Sequence, residues 1–131
     1  MARAVLIVDD EQHIRLLIEQ TLEELLDEDV ELYTAADGDE AIAAIAAQHP
    51  DLVFLDVMMP GRSGLDVCRA VRADPELAGA HIVLLTAKGQ AQDRDEGLAA
   101  GADKFLTKPF DPDALLALAL GFEVRRAFRN R

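Results

Sequence analysis

Short apolar runs recur along the chain, and segments with a helical pattern separate each run from the next. The runs span residues 4–8, 30–33, 52–55, 81–85 and 104–107. Short apolar runs bounded by turn signals are typical of buried strands. The run at 52–55 is continuously apolar, which predicts a central strand covered on both faces. The pattern therefore predicts five β-strands.

Between these runs, apolar residues recur at the 3.6-residue period of an α-helix. The first helix is predicted to begin near Glu11 or Gln12, and Pro50 closes the second. Gly101 takes the position just after the fourth helix, where glycine is favoured. Asp111 and Pro112 suit the N-cap and first turn of the last helix. The later helices are predicted near residues 39–48, 65–73, 93–100 and 112–128.

Strands that alternate with helices across short connections predict an α/β fold with a parallel sheet. We expect a doubly wound sheet of five strands in the order 2-1-3-4-5, with five helices. The periodicity supports the α/β class but does not by itself determine the strand order. At 131 residues, without repeats or linkers, residues 1–131 are predicted to form one domain with its core at about 3–128.

The composition narrows the possible functions. Half of the residues are apolar, which argues against disorder. The single cysteine, Cys68, excludes an internal disulfide and is interpreted as a small buried side chain in a reducing compartment. No apolar stretch is long enough for a membrane helix, and the N-terminus lacks a signal-peptide pattern. We therefore expect a soluble cytoplasmic protein that does not enter membranes.

The net charge of −12 argues against direct nucleic-acid binding, which depends on neutralising phosphates with Lys and Arg. Four arginines nevertheless lie near the C-terminus. They are Arg125, Arg126, Arg129 and Arg131. We interpret them as favourable charges at a helix C-terminus rather than as a nucleic-acid contact.

Chemically useful side chains follow four of the five predicted strands. Asp9 and Asp10 follow the first strand, and Asp56 follows the third. Thr86 and Lys108 come at the ends of the fourth and fifth strands. Because the carboxyl ends of parallel strands meet at one sheet edge, these residues are predicted to form a ligand site there.

Three carboxylates at one sheet edge repel each other unless a cation lies between them. Mg²⁺ prefers oxygen ligands, commonly one or two carboxylates with waters and phosphate oxygens. Asp10 and Asp56 could bind such an ion directly, and Asp9 could bind it through water. The alternative is that Asp9 and Asp10 only provide an acidic start to the first helix. Asp56 at a neighbouring strand end favours the metal site.

Asp56 is also a candidate nucleophile, because a carboxylate can attack phosphorus and form an acyl phosphate. Lys108 is placed to neutralise charge on the transferring group. Thr86 could donate its hydroxyl to a phosphoryl oxygen. Pro109 follows Lys108, and a cis bond between them would mark a constrained turn.

Four segments resemble the receiver domain of bacterial response regulators, with the chemotaxis receivers as the nearest type. They read VDDE at 8–11, LDVMMPG at 55–61, LTA at 85–87 and GADKFLTKPF at 101–110. The resemblance extends from about residue 3 to residue 128 and implies the flavodoxin-like receiver fold of two-component signalling.

The resemblance implies that Asp56 accepts a phosphoryl group from a sensor histidine kinase or a phosphotransfer protein. It also implies that Asp9, Asp10, Asp56 and the backbone carbonyl of Met58 hold Mg²⁺, with Mn²⁺ as a substitute. Lys108 would pair with the phosphoryl group, and the bond between Lys108 and Pro109 would be cis. Such a domain is not an enzyme with a separate substrate, although it assists its own phosphorylation and dephosphorylation.

The resemblance further implies a switch. Thr86 would move toward the phosphoryl oxygen, and Phe105 would rotate inward behind it. The face made by the fourth helix, fifth strand and fifth helix would thereby shift from an inactive to an active state. By its residue type alone, Phe105 would be interpreted as an ordinary core residue of a strand, and only the family pattern makes it a switch residue.

Two features depart from the family pattern. Lys104 follows Asp103 where many dimerising receivers have an acidic pair, so the usual ion-pair dimer is not expected. The last helix is apolar on almost every side at residues 115–122. We hypothesise that it is a surface for a homodimer or an output partner, and the alternative is that it simply has a wide buried face.

Two residues near the candidate site bear on the lifetime of an acyl phosphate. Met58 lies two residues after Asp56, and Lys88 lies two residues after Thr86. Met58 has no polar group that could orient water. Slow to moderate self-hydrolysis is therefore expected.

Two other functions fit the same strand-end chemistry less well. A phosphatase with an aspartate nucleophile would need a second aspartate two residues after Asp56, and Met58 occupies that position. A flavin-binding protein would need a phosphate-cradling loop after the first strand, where Asp9 and Asp10 would instead repel phosphate.

Overall fold

The chain folds into a five-stranded parallel sheet in the order β2-β1-β3-β4-β5, as expected from the sequence. The computed structural model describes residues 3–23, 30–87, 91–108 and 111–129, with side chains for all of these except 3, 91–94, 120 and 122–129. The strands are β1 (Arg3–Val8), β2 (Val30–Ala35), β3 (Leu52–Asp56), β4 (His81–Ala87) and β5 (Lys104–Lys108). The helices are α1 (Gln12–Glu23), α2 (Gly38–Gln48), α3 (Gly64–Ala73), α4 (Ala91–Ala100) and α5 (Pro112–Arg129).

Helices cover both faces of the sheet and bury two hydrophobic clusters. Side chains of α1 and α5, such as Ile18 and Leu115, pack on one face. Side chains of α2, α3 and α4, such as Ile45 and Val67, pack on the other face. Every residue of β3 is buried because the strand lies at the centre of the sheet. Cys68 of α3 is a buried free thiol, as predicted.

Several elements begin or end one or two residues away from the predicted positions. Side-chain caps lengthen α2 and α3: Asp37 accepts a hydrogen bond from the amide of Glu40, and Ser63 and Asp66 form a capping box. Strand β4 extends beyond the apolar run because it pairs with β5 as far as Ala87 and Lys108. Thr86 therefore lies within a strand rather than after it.

Some predictions concern residues outside the described ranges. The bond expected to be cis leads to Pro109, which is not described, and neither are Lys88 and Arg131. The side chains of the other three C-terminal arginines and of Leu120 also lie outside the description.

The described part of the last helix buries one face and exposes small residues on another. Leu115 and Ala119 are fully buried against the α1 side of the sheet. Leu116 and Leu118 are half-buried, and Ala117 is exposed. Across the residues described, we find no helix with both the length and the apolar character of a membrane span.

Arg72 links three segments at the end of the sheet opposite the predicted site. Its guanidinium donates hydrogen bonds to the carbonyl oxygens of Ala78 and Ala80, both at 2.6 Å, and of Gly101 at 2.8 Å. It also pairs with the Asp103 carboxylate at 2.7 Å. The same carboxylate oxygen accepts a hydrogen bond from the amide of Ile82 at 2.8 Å. Arg72 thus fastens the end of α4 to α3 and β4.

We expect Arg72→Met to lower the free energy of unfolding by about 2–3 kcal/mol, because three carbonyl groups and a carboxylate lose a charged donor. Urea denaturation measures this change. Arg69→Met is the matched control, since Arg69 is exposed and contacts Asp66 only at 3.4 Å; it should cost less than about 0.5 kcal/mol. Equal unfolding midpoints for the two variants would contradict the role assigned to Arg72.

Candidate functional site

The carboxyl ends of the central strands bring the predicted acidic residues together. Val8 of β1 is paired with Leu55 of β3, so the residues that follow them lie side by side. Oxygen atoms of Asp9, Asp10 and Asp56 all lie within 4.8 Å of one another. This is the arrangement that the strand-end pattern predicted.

Asp9 is completely buried and is held from several directions. Its Oδ1 accepts a hydrogen bond from the amide of Glu11 at 2.9 Å. Its Oδ2 lies 2.5 Å from the Lys108 ammonium. Among the described residues, this ion pair is the only polar contact of the Oδ2 atom. Its backbone carbonyl accepts a hydrogen bond from Arg15 at 2.6 Å. Asp9 is therefore fixed in place as the nearest carboxylate to Lys108.

Asp56 ends β3 and is almost completely buried. Its Oδ1 accepts a hydrogen bond from the amide of Met58 at 3.2 Å, and its Oδ2 lies 3.4 Å from the Lys108 ammonium. Burial, together with the negative charge of Asp9, raises the pKa of Asp56 to about 7, although Lys108 and the Met58 amide act in the opposite direction. The negatively charged form of Asp56 is therefore disfavoured near neutral pH.

Lys108 provides positive charge between the two buried carboxylates. Burial lowers the pKa of its ammonium, but the hydrogen bond and charge of Asp9 and the charge of Asp56 outweigh burial, so the pKa is raised overall. Lys108 is therefore a persistent cation. Even with this cation, three carboxylates leave the site with excess negative charge. A hard divalent cation, which takes oxygen ligands, is the group that this donor set fits.

Thr86 follows Leu85, the register partner of Asp56, and shares with Phe105 the sheet face that α2, α3 and α4 cover. Phe105 pairs with Leu84 in the parallel register, and Thr86 is two residues further along β4. Residues two apart on a strand share a face, as do paired residues on neighbouring strands. Thr86 is buried, and Phe105 is half-buried against that face. A change in the position of one of these side chains could therefore affect the packing of the other.

The loop after β3 approaches the site through both backbone and side chain. The Met58 side chain is 67% exposed, so it borders the mouth of the site rather than the core. A Cβ atom on Gly64 would lie only 2.2 Å from the carbonyl oxygen of Asp56, so only glycine permits α3 to begin so close to β3.

Sequence reasoning missed Arg15 and Gly64. Arg15 lies six residues after Asp9, one turn into α1, where it reads as an ordinary surface residue. Gly64 offered a signal, because a glycine at the start of a helix often marks a close approach of two backbones. Which backbone it approaches depends on the tertiary fold.

We expect Asp56→Asn to stabilise the protein at high pH in the presence of a chelator. The folded state raises the pKa of Asp56 from 3.8 to about 7, so the proton that Asp56 binds favours folding below pH ~4. This contribution is lost as the pH rises through about 7. The variant should therefore match wild type near pH 4 and exceed it by about 2 kcal/mol at pH 8, a value that allows for screening by water at the site.

Urea denaturation at the two pH values measures this difference. Asp113→Asn, at an exposed position in α5, is the control and should stay within about 0.5 kcal/mol of wild type throughout. A pH-independent effect of Asp56→Asn would show that burial does not raise the pKa of Asp56.

Comparison with known proteins identifies the family to which this site belongs. Residues 5–120 match the response regulator receiver domain. The chemotaxis response regulator CheY4 of Vibrio cholerae is 34% identical, with 93% of this chain and 99% of that chain covered at a TM-score of 0.82.

Two further structures show the same similarity. The receiver domain of AraT, a response regulator from Geobacillus stearothermophilus, is 27% identical over 100% of both chains, with a TM-score of 0.86. The receiver domain of a signal transduction histidine kinase from Syntrophus aciditrophicus is 30% identical, covering 92% of this chain and 89% of that chain at a TM-score of 0.83. The chain therefore belongs to the response regulator receiver domain family, the phospho-acceptor signalling domains of two-component systems.

Proposed function

We propose that Asp56 is the residue of this receiver domain that accepts the phosphoryl group. A carboxylate oxygen of Asp56 would form a bond to phosphorus while the bond from phosphorus to a kinase histidine nitrogen breaks, and the imidazole leaves. The observation that carries this proposal is the position of the Asp56 carboxylate, 3.4 Å from the Lys108 ammonium and within 4.8 Å of two further carboxylates. The grouping of Asp9 and Asp10 with Asp56 supports a metal site over an acidic start to α1 alone.

The carboxylates of Asp9, Asp10 and Asp56, with the backbone carbonyl of Met58, would hold Mg²⁺ or Mn²⁺. The ion would supply positive charge for the phosphoryl oxygens. Lys108 supplies the protein's own cation, and the two buried carboxylates hold its ammonium ready at the site. Because the ammonium and the carboxylates of the site are already in place, they need little rearrangement when the phosphoryl group arrives.

We propose that Thr86 and Phe105 transmit the change to the surface made by α4, β5 and α5. The Thr86 hydroxyl would move toward a phosphoryl oxygen, and the Phe105 ring would occupy the space behind it. The shared sheet face of the two residues supports this proposal. The phosphoryl group would shift the population between two states by contacts made only in one of them.

We propose that a histidine kinase or a phosphotransfer protein is the phosphodonor and that the reaction takes place in the cytoplasm. We also propose that residues 1–131 form one receiver domain. That the last helix forms a surface for a homodimer or an output partner remains a prediction. Among its described side chains, Leu116 and Leu118 are half-buried and Ala117 is exposed. The phosphatase alternative gains no support, since Met58 stands where the required acid would be.

We expect acetyl phosphate with Mg²⁺ to label the protein, and Asp56→Asn to abolish this labelling because the amide is not a nucleophile. A chelator should abolish labelling of wild type. Phosphate-affinity electrophoresis, which separates the labelled from the unlabelled protein, provides the measurement. Asp66→Asn, at an exposed carboxylate of the same chain, is the control and should label like wild type. Labelling that persists in Asp56→Asn would place the acceptor elsewhere.

We also propose slow to moderate self-hydrolysis of the acyl phosphate, and Met58→Asn tests its cause. The exposed Met58 thioether cannot orient an attacking water, whereas an amide can accept and donate hydrogen bonds. We expect the variant to lose its phosphate several-fold faster than wild type after the donor is removed. Leu98→Asn replaces an exposed apolar residue of α4 and should leave the rate unchanged. Equal rates for wild type and Met58→Asn would reject the explanation.

A further inference from the structure

Gly97 is a buried glycine in the interior of α4. Glycine is among the least favourable residues for a helix interior, because it loses more backbone entropy than alanine when it is ordered. A helical glycine that is buried therefore calls for a packing explanation. Gly121 of α5 provides the contrast, since it is exposed and a Cβ atom there would meet nothing within 4 Å.

The Phe105 ring occupies the space that a side chain at position 97 would fill. A Cβ atom on Gly97 would lie 2.6 Å from Cε1 and 3.0 Å from Cζ of the Phe105 ring. It would also lie 2.6 Å from Cδ1 of Leu84. Real Cβ atoms essentially never approach other heavy atoms more closely than 3.0 Å. Even an alanine at position 97 would force the ring to move.

The position of this contact connects it to the candidate site. Leu84 is fully buried on β4 and pairs with Phe105 on β5. Thr86 lies on the same face of β4, two residues nearer the carboxyl edge where Asp56 lies. A Cβ atom at position 97 would therefore stand against both the edge of the Phe105 ring and a side chain of the strand that carries Thr86.

We propose that Gly97 is a positioning residue for the switch: its missing side chain creates the space in which the Phe105 ring packs inward. This inference rests on the proposed function of Thr86 and Phe105. A methyl group at position 97 pushes the ring away from β4 and toward solvent. The state with the ring inward is then less populated. Since coupling between two sites is reciprocal, a phosphoryl mimic that favours the inward ring binds more weakly.

The test uses the full chain with Mg²⁺ and beryllofluoride as the phosphoryl mimic. Gly97→Ala is compared with Gly121→Ala, which makes the same change at an open helical position. The chain has five phenylalanines, and ring ¹³C labels report on them; Phe105→Leu assigns the signal of interest. The affinity for beryllofluoride is measured by titration at saturating Mg²⁺.

In Gly97→Ala, we expect the Phe105 signal of the free protein to shift, its response to beryllofluoride to fall by at least half, and the affinity to weaken by about tenfold. Gly121→Ala should behave as wild type in all three measurements. In the Phe105→Leu background, adding Gly97→Ala should change the affinity less than twofold, because the ring is absent. A variant that was merely less well folded would weaken binding equally in both backgrounds.

The outcomes separate this inference from the function on which it rests. If wild type fails to bind beryllofluoride, the proposed function is wrong and the inference is wrong with it. If wild type binds but Gly97→Ala matches Gly121→Ala, only the inference is overturned. An equal loss of affinity with and without the Phe105 ring would also overturn it.

Discussion

The buried charge cluster formed by Asp9, Asp56 and Lys108 is the constraint on which the rest of the site depends. Two carboxylates are removed from water at the ends of neighbouring strands, and one ammonium partly compensates them. Removing charge from water costs several kcal/mol per ion even in a relaxed protein. The strands, the first turn of α1 and the loop after β3 place backbone amides and the lysine against the two carboxylates. These contacts offset part of the cost. The raised pKa of Asp56 indicates that these contacts do not offset the whole cost of burial. A ligand that brought positive charge to this cluster would therefore stabilise the folded chain.

Much of this arrangement was predictable because it follows from local pattern. Apolar runs identified the strands, and the residues after them identified Asp9, Asp10, Asp56 and Lys108. The parallel sheet then brought them together, since its geometry places all carboxyl ends at one edge. The strand order is confirmed, but the periodicity alone did not determine it; the family resemblance and the general behaviour of doubly wound sheets did.

The remaining features depend on contacts between distant segments, which no local pattern reports. The close pairing of Lys108 with Asp9, rather than only with Asp56, follows from side-chain packing. Gly64 and Gly97 have no side chain, so another segment can pack closely against each of them. Their residue type shows that such packing is possible but does not identify the segment that packs there. Strand and helix ends shifted for two reasons, one local and one long-range. Caps at Asp37 and Ser63 and pairing between β4 and β5 override the apolar pattern at the boundaries.

The Arg72 cluster lies at the opposite end of the sheet and holds one end of α4. Gly101, at the end of that helix, receives a hydrogen bond from Arg72 and takes a left-handed backbone conformation with φ of 103°. With this end fixed, a tilt of α4 would pivot about Gly101. Its 10 residues give an arm of about 15 Å. A tilt of ~10° about Gly101 would displace the Ala91 end by about 2.6 Å, so movement of α4 would be greatest at the sheet edge that holds the candidate site.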